Sequence, residues 1–271
     1  MLGIDLLVAL LSLLLTIHLL PRIISMLIVG GLQRANYLGE YIPLGCGIVI
    51  PLASLPSLAL WQVVTHGASQ SALVLALVVT GMAAAGLLDD LVGDGSQRGL
   101  RGHWYAYARG ALTTGGCKVI LGVGIAVIAS LTIDTVSFAS VIISSALVAL
   151  SANFINMFDL RPGRALKVFY LGYALVALVA GTFGGPFLIV FASALALAPA
   201  DLQARIMMGD TGANALGGVL GLFMAINFSM AARLLVLIAL ILLHFAAERW
   251  SFSRVIAAVP MLSWLDKLGR H

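Results

Sequence analysis

Long stretches of this chain carry apolar side chains one after another, without the two-residue alternation that marks a half-buried strand. Hydrocarbon offers the backbone no hydrogen-bond partner, so continuous apolar runs predict membrane-crossing helices rather than a barrel. At about 20 residues per crossing, the pattern predicts an all-α polytopic bundle with helices over 2–21, 42–64, 71–88, 112–131, 136–156, 168–182, 184–200, 213–230 and 232–247. Gly184, Gly185 and Pro186 separate the sixth and seventh of these, which are also readable as one broken unit. Residues 1–247 are thus expected to form the membrane domain. Residues 248–271, ERWSFSRVIAAVPMLSWLDKLGRH, carry apolar positions at mixed helical spacing with charges at the ends, the pattern of an interfacial helix rather than a tenth span.

Composition agrees: 61% of the 271 residues are hydrophobic and 10% charged, against roughly 25% charged in a soluble domain. The first run opens with Asp5 and holds no Lys or Arg before residue 21, so it is expected to be a retained span and not a secretory signal. Cys46 and Cys117 lack metal-ligand spacing and read as packing residues.

The net charge of +4 would suit nucleic acid in a soluble protein. In a membrane protein positive charge first reports orientation, so no nucleic-acid partner is expected. One set of alternate loops holds Arg22, Arg34, Arg98, Arg101, Arg109, Arg161, Arg164, Lys167 and Arg205, and the tail adds Arg249, Arg254, Lys267 and Arg270. The opposite set holds little beyond residues 65–70, Asp134, the Gly184 turn and Arg233. Positive-inside bias therefore predicts a multi-pass protein of the cell membrane, N-terminus outside and C-terminus cytoplasmic. Glu40, Asp89, Asp90, Asp94, Asp159, Asp201 and Asp210 fall on the same cytoplasmic side. Glu40, Asp94 and Asp201, taken singly, also read as ordinary solvated charges.

Three short motifs concentrate chemistry there. Asp89 and Asp90, in GLLDDLVGD, end an apolar helix, where adjacent carboxylates call for a cation, a proton or a basic partner. A solvated helix end is the plainer alternative. Asn153, Asn156 and Asp159, in NFINMFD, share one side of an emerging helix, and Arg161, Arg164 and Lys167 follow at once. Amides beside guanidinium groups suit a nucleotide diphosphate; a basic cluster meeting lipid headgroups is the alternative. In MMGDTGANALGG, Asp210 lies between glycines before the next helix, which fits a close-approaching anionic ligand or an ordinary helix cap. Lys118, a short way into an apolar helix, either snorkels or finds a partner. In RANYLGEYIPLGCG, Arg34 and Asn36 precede Pro43, Gly45 and Gly47, which shape a re-entrant bend or start a helix. His18 and His66 fall near the non-cytoplasmic side or within a span, and His103 and His244 have no visible acid partner, so a hydrolase triad is not supported.

Taken in order, GLLDD, NFINMFD and MGDTGANALGG resemble the polyprenyl-phosphate N-acetylhexosamine-1-phosphate transferase superfamily over roughly residues 30 to 225. The resemblance implies Mg²⁺-dependent transfer, with Mn²⁺ as a substitute, of a sugar 1-phosphate from a UDP-sugar to a polyprenyl phosphate, with release of UMP. It implies catalytic roles for Asp89, Asp90 and Asp159, metal binding by Asp210 and Asp90, and substrate contacts from Asn36, Lys118, Asn153, Asn156, Arg161, Arg164 and Lys167. It also implies nucleotide sugar, polyprenyl phosphate and the lipid bilayer as partners, with a homodimer or an accessory protein as further expectations. The chain departs from the family where Leu160 to Arg164 replace a glycine-rich continuation, and where the histidine-rich motif after the ninth helix is missing. That second departure leaves open a relative that binds lipid phosphate or nucleotide sugar without turnover. A secondary transporter is the remaining alternative, disfavoured because the carboxylates gather at one face.

Overall fold

The structure is a computed structural model that describes residues 1–67, 69–93, 113–133 and 137–270. The loop charges Asp94, Arg98, Arg101 and Arg109, together with His103 and Asp134, lie outside the described residues. Eleven helices are present among the described residues: α1 (Leu2–Val29), α2 (Val49–Val64), α3 (Gln70–Val92), α4 (Thr114–Ile133), α5 (Phe138–Phe158), α6 (Arg164–Ala180), α7 (Phe187–Leu202), α8 (Gly209–Asn227), α9 (Met230–Arg249), α10 (Phe252–Ala258) and α11 (Pro260–Lys267). The first nine correspond to the nine predicted segments, and the Gly184 turn separates α6 from α7 as two helices.

Among the described residues six stretches are long and apolar enough to cross a membrane: Leu2–Val29, Cys46–Val64, Gln70–Val92, Thr114–Ile133, Phe138–Phe158 and Met230–Arg249. The other three predicted spans have different characters. α6 and α7 are short, with 17 and 16 residues, and α8 is enclosed by its neighbours along nearly its whole length. A helix buried all round forms the axis of a bundle. Here the axis is built by small residues, because a Cβ on Gly217 would fall 2.3 Å from the Ser151 carbonyl and one on Gly221 would fall 2.6 Å from the Val148 Cα. α5 therefore lies backbone to backbone against α8, the close approach that small residues permit in membrane bundles.

α1 runs to Val29 rather than ending near residue 21, passing through Pro21. The missing amide of a proline removes one helical bond without stopping a helix whose flanks are apolar and packed. α1 joins α7 through a buried Thr16–Ser193 hydroxyl pair at 2.7 Å. At the end of the bundle where α1 begins, Asp5 is 4% exposed and accepts from Trp61 Nε1 at 2.7 Å and the Gly185 amide at 3.0 Å. One carboxylate thus ties α1, α2 and the α6–α7 turn.

Between α1 and α2 the chain makes a short hairpin, β1 (Gln33–Ala35) paired antiparallel with β2 (Tyr41–Pro43), and then a 3₁₀ turn at Cys46–Ile48. The predicted helix start at residue 42 is therefore a strand, and α2 begins only at Val49.

Candidate functional site

Four helix ends meet at the end of the bundle opposite Asp5. α3 brings Asp89 and Asp90, α4 brings Lys118, α5 brings Asn156 and Asp159, and α8 begins with Asp210 and Thr211. The backbone around them is clamped. The Cys46 and Gly47 amides donate to the Met207 and Met208 carbonyls at 3.1 and 2.9 Å, and the Met207 amide donates to Pro43 O at 2.8 Å. Asp201, 3% exposed at the end of α7, accepts from the Gly163 amide at 2.8 Å and the Met208 amide at 3.2 Å. It joins the turn after α5 to the loop before α8. Arg34 donates to Gly93 O at 2.9 Å, holding the hairpin to the end of α3.

The two adjacent aspartates do different work. Asp90, 5% exposed, accepts at Oδ1 from the Asp210 amide (3.1 Å) and at Oδ2 from the Thr211 amide (3.0 Å) and hydroxyl (2.6 Å). It caps α8 from a neighbouring helix, satisfying amides that a helix start leaves free. Two glycines make room for it. A Cβ on Gly209, whose φ is +74°, would stand 2.5 Å from Asp90 Oδ2, and a Cβ on Gly86 would stand 2.1 Å from the Asp210 carbonyl oxygen. Asp89, one residue earlier, lies 3.7 Å from Lys118 Nζ, and Lys118 also donates to Asp210 Oδ2. Asn156 Nδ2 donates to the same Asp210 oxygen at 3.3 Å. Lys118, predicted either to snorkel or to find a partner, is paired with two carboxylates.

The Asn156 amide oxygen is buried without a hydrogen-bond partner among the described residues. Two carboxylates and an unsatisfied amide oxygen form a hard oxygen set of the kind Mg²⁺ takes together with substrate phosphates. Among the described residues no group of three or more His, Cys, Asp and Glu side chains makes a self-contained metal cage. Asp159, at the C-terminal end of α5, has its carboxyl pushed well above the usual range by burial, reinforced by Asp201, Asp210 and Asp90, while the Gly209 amide pulls the other way. Four carboxylates crowded at one helix junction gather negative potential that a cation would relieve.

The remaining predicted contacts divide. Asn153 is exposed one turn before Asn156. Arg161 is exposed, its guanidinium 4.8 Å from the centre of the Tyr37 ring. Asn36 is used in the hairpin: its Oδ1 accepts from the Leu38 and Glu40 amides at 2.8 and 3.0 Å, so the side chain predicted to touch substrate closes a turn. Arg164 and Lys167 are also directed elsewhere. Arg164, 6% exposed, donates to Asp266 at 2.8 and 2.9 Å and to Ser253 Oγ at 2.8 Å, and Lys167 donates to the Leu265 and Asp266 carbonyls at 3.0 and 2.8 Å. These two cations face the C-terminal segment because it supplies a carboxylate and free carbonyls, whereas the motif alone grouped them with the nucleotide site.

Two acids important to this arrangement were not singled out by the motifs. Asp201 had one signal: it ends an apolar helix, where a carboxylate opposes the helix dipole unless other donors hold it. Asp266 had none beyond its place in an amphipathic segment. No protein-family model matches the chain, and no curated protein matches it in sequence.

Proposed function

We propose that this protein transfers a sugar 1-phosphate from a UDP-sugar to a polyprenyl phosphate such as undecaprenyl phosphate, at the cytoplasmic face of the cell membrane. The observation that carries the reading is the Asp89–Lys118–Asp210–Asn156 cluster at one end of an apolar helical bundle. A reaction between two phosphate-bearing partners, one of them a lipid, needs such charges where hydrocarbon meets water. In the overall reaction an oxygen of the lipid phosphate becomes bonded to the sugar-bearing phosphorus, the bridging P–O bond of the diphosphate breaks, and UMP leaves with its electron pair.

Asp89, Asp210 and the Asn156 oxygen would hold Mg²⁺, with Mn²⁺ able to take its place. When bound, the ion supplies neutralisation of diphosphate charge. Lys118 supplies a further positive group to phosphate oxygens, a stabilisation that grows as charge moves to the leaving UMP. Asp90 holds Asp210 in place through α8 and acts as a positioning residue, and Asp159, with its raised carboxyl, is suited to exchange a proton beside the acceptor. Arg161 and Asn153, both exposed at this junction, are the donor-side contacts. The positive-inside distribution of loop charge supports the cytoplasmic orientation.

A binding-only relative is favoured by one observation, the engagement of Arg164 and Lys167 by the C-terminal segment. The test is Mg²⁺-dependent UMP release by purified protein with undecaprenyl phosphate and a panel of UDP-sugars, with Asp210→Asn as control. Release that requires lipid, metal and Asp210 is expected. Folded protein that binds the lipid phosphate but releases no UMP with any donor would establish the binding-only reading.

A further inference from the structure

The C-terminal segment carries an inference independent of the transfer chemistry. α9 ends at Arg249, and only Trp250 and Ser251 separate it from α10, so the segment starts where a long apolar helix ends. One side of it is fixed to the body. Phe252 stacks on Phe158 with ring centres 5.2 Å apart, and Asp266 holds both Arg164 and Arg270, the latter at 2.6 and 3.1 Å. Arg270 Nε also donates to Pro162 O at 2.7 Å. Elsewhere on the segment Trp250, Met261 and Trp264 are 64%, 68% and 62% exposed, and the basic Arg254 and Lys267 are exposed as well. Large exposed apolar side chains within one short segment mark a binding surface. Tryptophan interleaved with Lys and Arg matches the headgroup level of a bilayer whose lipids are anionic.

We propose that residues 249–270 form a binding surface for the anionic membrane leaflet on the side where the carboxylate cluster lies. Trp250, Met261 and Trp264 enter the boundary of the acyl chains, Arg254 and Lys267 meet lipid phosphates, and Asp266 sets the height of the segment by holding it to the turn at 161–164. The bilayer surface therefore braces the same turn that Asp201 links to the loop before Asp210.

The test uses full-length protein in nanodiscs of bromine-labelled phosphatidylcholine, with or without bromine-labelled phosphatidylglycerol. The Trp264 signal is read as the difference between wild type and Trp264→Phe. Quenching of Trp264 that increases with phosphatidylglycerol is expected, with at least a twofold loss in Asp266→Ala and recovery in Asp266→Glu. Unquenched Trp264 in both lipids would overturn the proposal, as would quenching that ignores both phosphatidylglycerol and Asp266. Cross-linking between copies through residue 264, with no lipid quenching, would assign the surface to a second copy of the chain instead.

Discussion

Thr211 gives Asp90 two hydrogen bonds at one carboxylate oxygen, from its amide at 3.0 Å and its hydroxyl at 2.6 Å. The pair joins α3 to the first turn of α8 inside the bundle, where Thr211 is fully buried. Thr211→Val keeps the shape and deletes the hydroxyl, so the cap weakens by about 1.5–3 kcal/mol, the range for a hydrogen bond to a charged group. Thermal unfolding in detergent measures this, with Thr211→Ser expected near wild type. Equal stability of the valine variant would remove Asp90 from its capping role.

Asp90→Asn should act in the same way, because an amide cannot accept from all three donors with both of its terminal atoms. Asp210→Asn should differ in kind. Its side chain faces Lys118 and Asn156, so the variant is expected to fold with nearly unchanged stability and to lose transfer. A thermal melt beside an assay of UMP release separates the two aspartates. Loss of activity in Asp90→Asn without loss of stability would return Asp90 to direct chemistry.

Lys118→Met leaves Asp89 and Asp210 without the cation they share. Loss of a donor aimed at a phosphoryl group undergoing transfer costs on the order of 10²–10³ in turnover. The same variant should need no more Mg²⁺ than wild type, because a competitor for the carboxylates has gone. Kinetics across a Mg²⁺ titration check both statements, and unchanged turnover would take Lys118 out of the site.

Much of the bundle was legible because apolar runs have one physical solution in hydrocarbon, and all nine predicted segments are helices. What the runs did not reveal is that α8 is the enclosed axis, since enclosure depends on Gly217 and Gly221 meeting α5, a contact between distant parts of the chain. At the site, types and order were legible while directions were not. Asp89 and Asp90 are neighbours in sequence, yet successive helical residues point about 100° apart, and one reaches α8 amides while the other reaches Lys118. Arg164 and Lys167 have the residue types of phosphate ligands, but their partner is Asp266, about a hundred residues away in sequence, which no local motif discloses.

Gly86→Ala tests the geometry without touching a charge. Its new Cβ would meet the Asp210 carbonyl oxygen at 2.1 Å, and a backbone atom cannot swing aside, so the start of α8 must move. Transfer should fall sharply and stability should drop, while Gly124→Ala, whose Cβ meets nothing within 4 Å, is neutral or slightly stabilising. Melting curves and UMP release for the two variants decide it. Wild-type behaviour of Gly86→Ala would mean that α3 and α8 are not in contact at Asp210.

The docking of the C-terminal segment has a defined pH dependence. Burial pushes the Asp266 carboxyl up, but hydrogen bonds from Arg164 and Arg270 outweigh it and hold the group below the usual carboxylate range. A folded value below the unfolded one, about 3.9 for aspartate, means that the stabilisation is complete above the unfolded value and fades as pH falls through the folded one. Hydrogen-exchange protection of Pro260–Lys267, corrected for intrinsic rates, should therefore stay level from neutral pH to about pH 5 and collapse only in stronger acid. In Asp266→Asn protection should be reduced above about pH 5 and match the wild type in strong acid, because the amide cannot take two guanidinium groups as a carboxylate does. Loss of protection near neutral pH in the wild type would show that a group other than Asp266 holds the segment to the Arg164 turn.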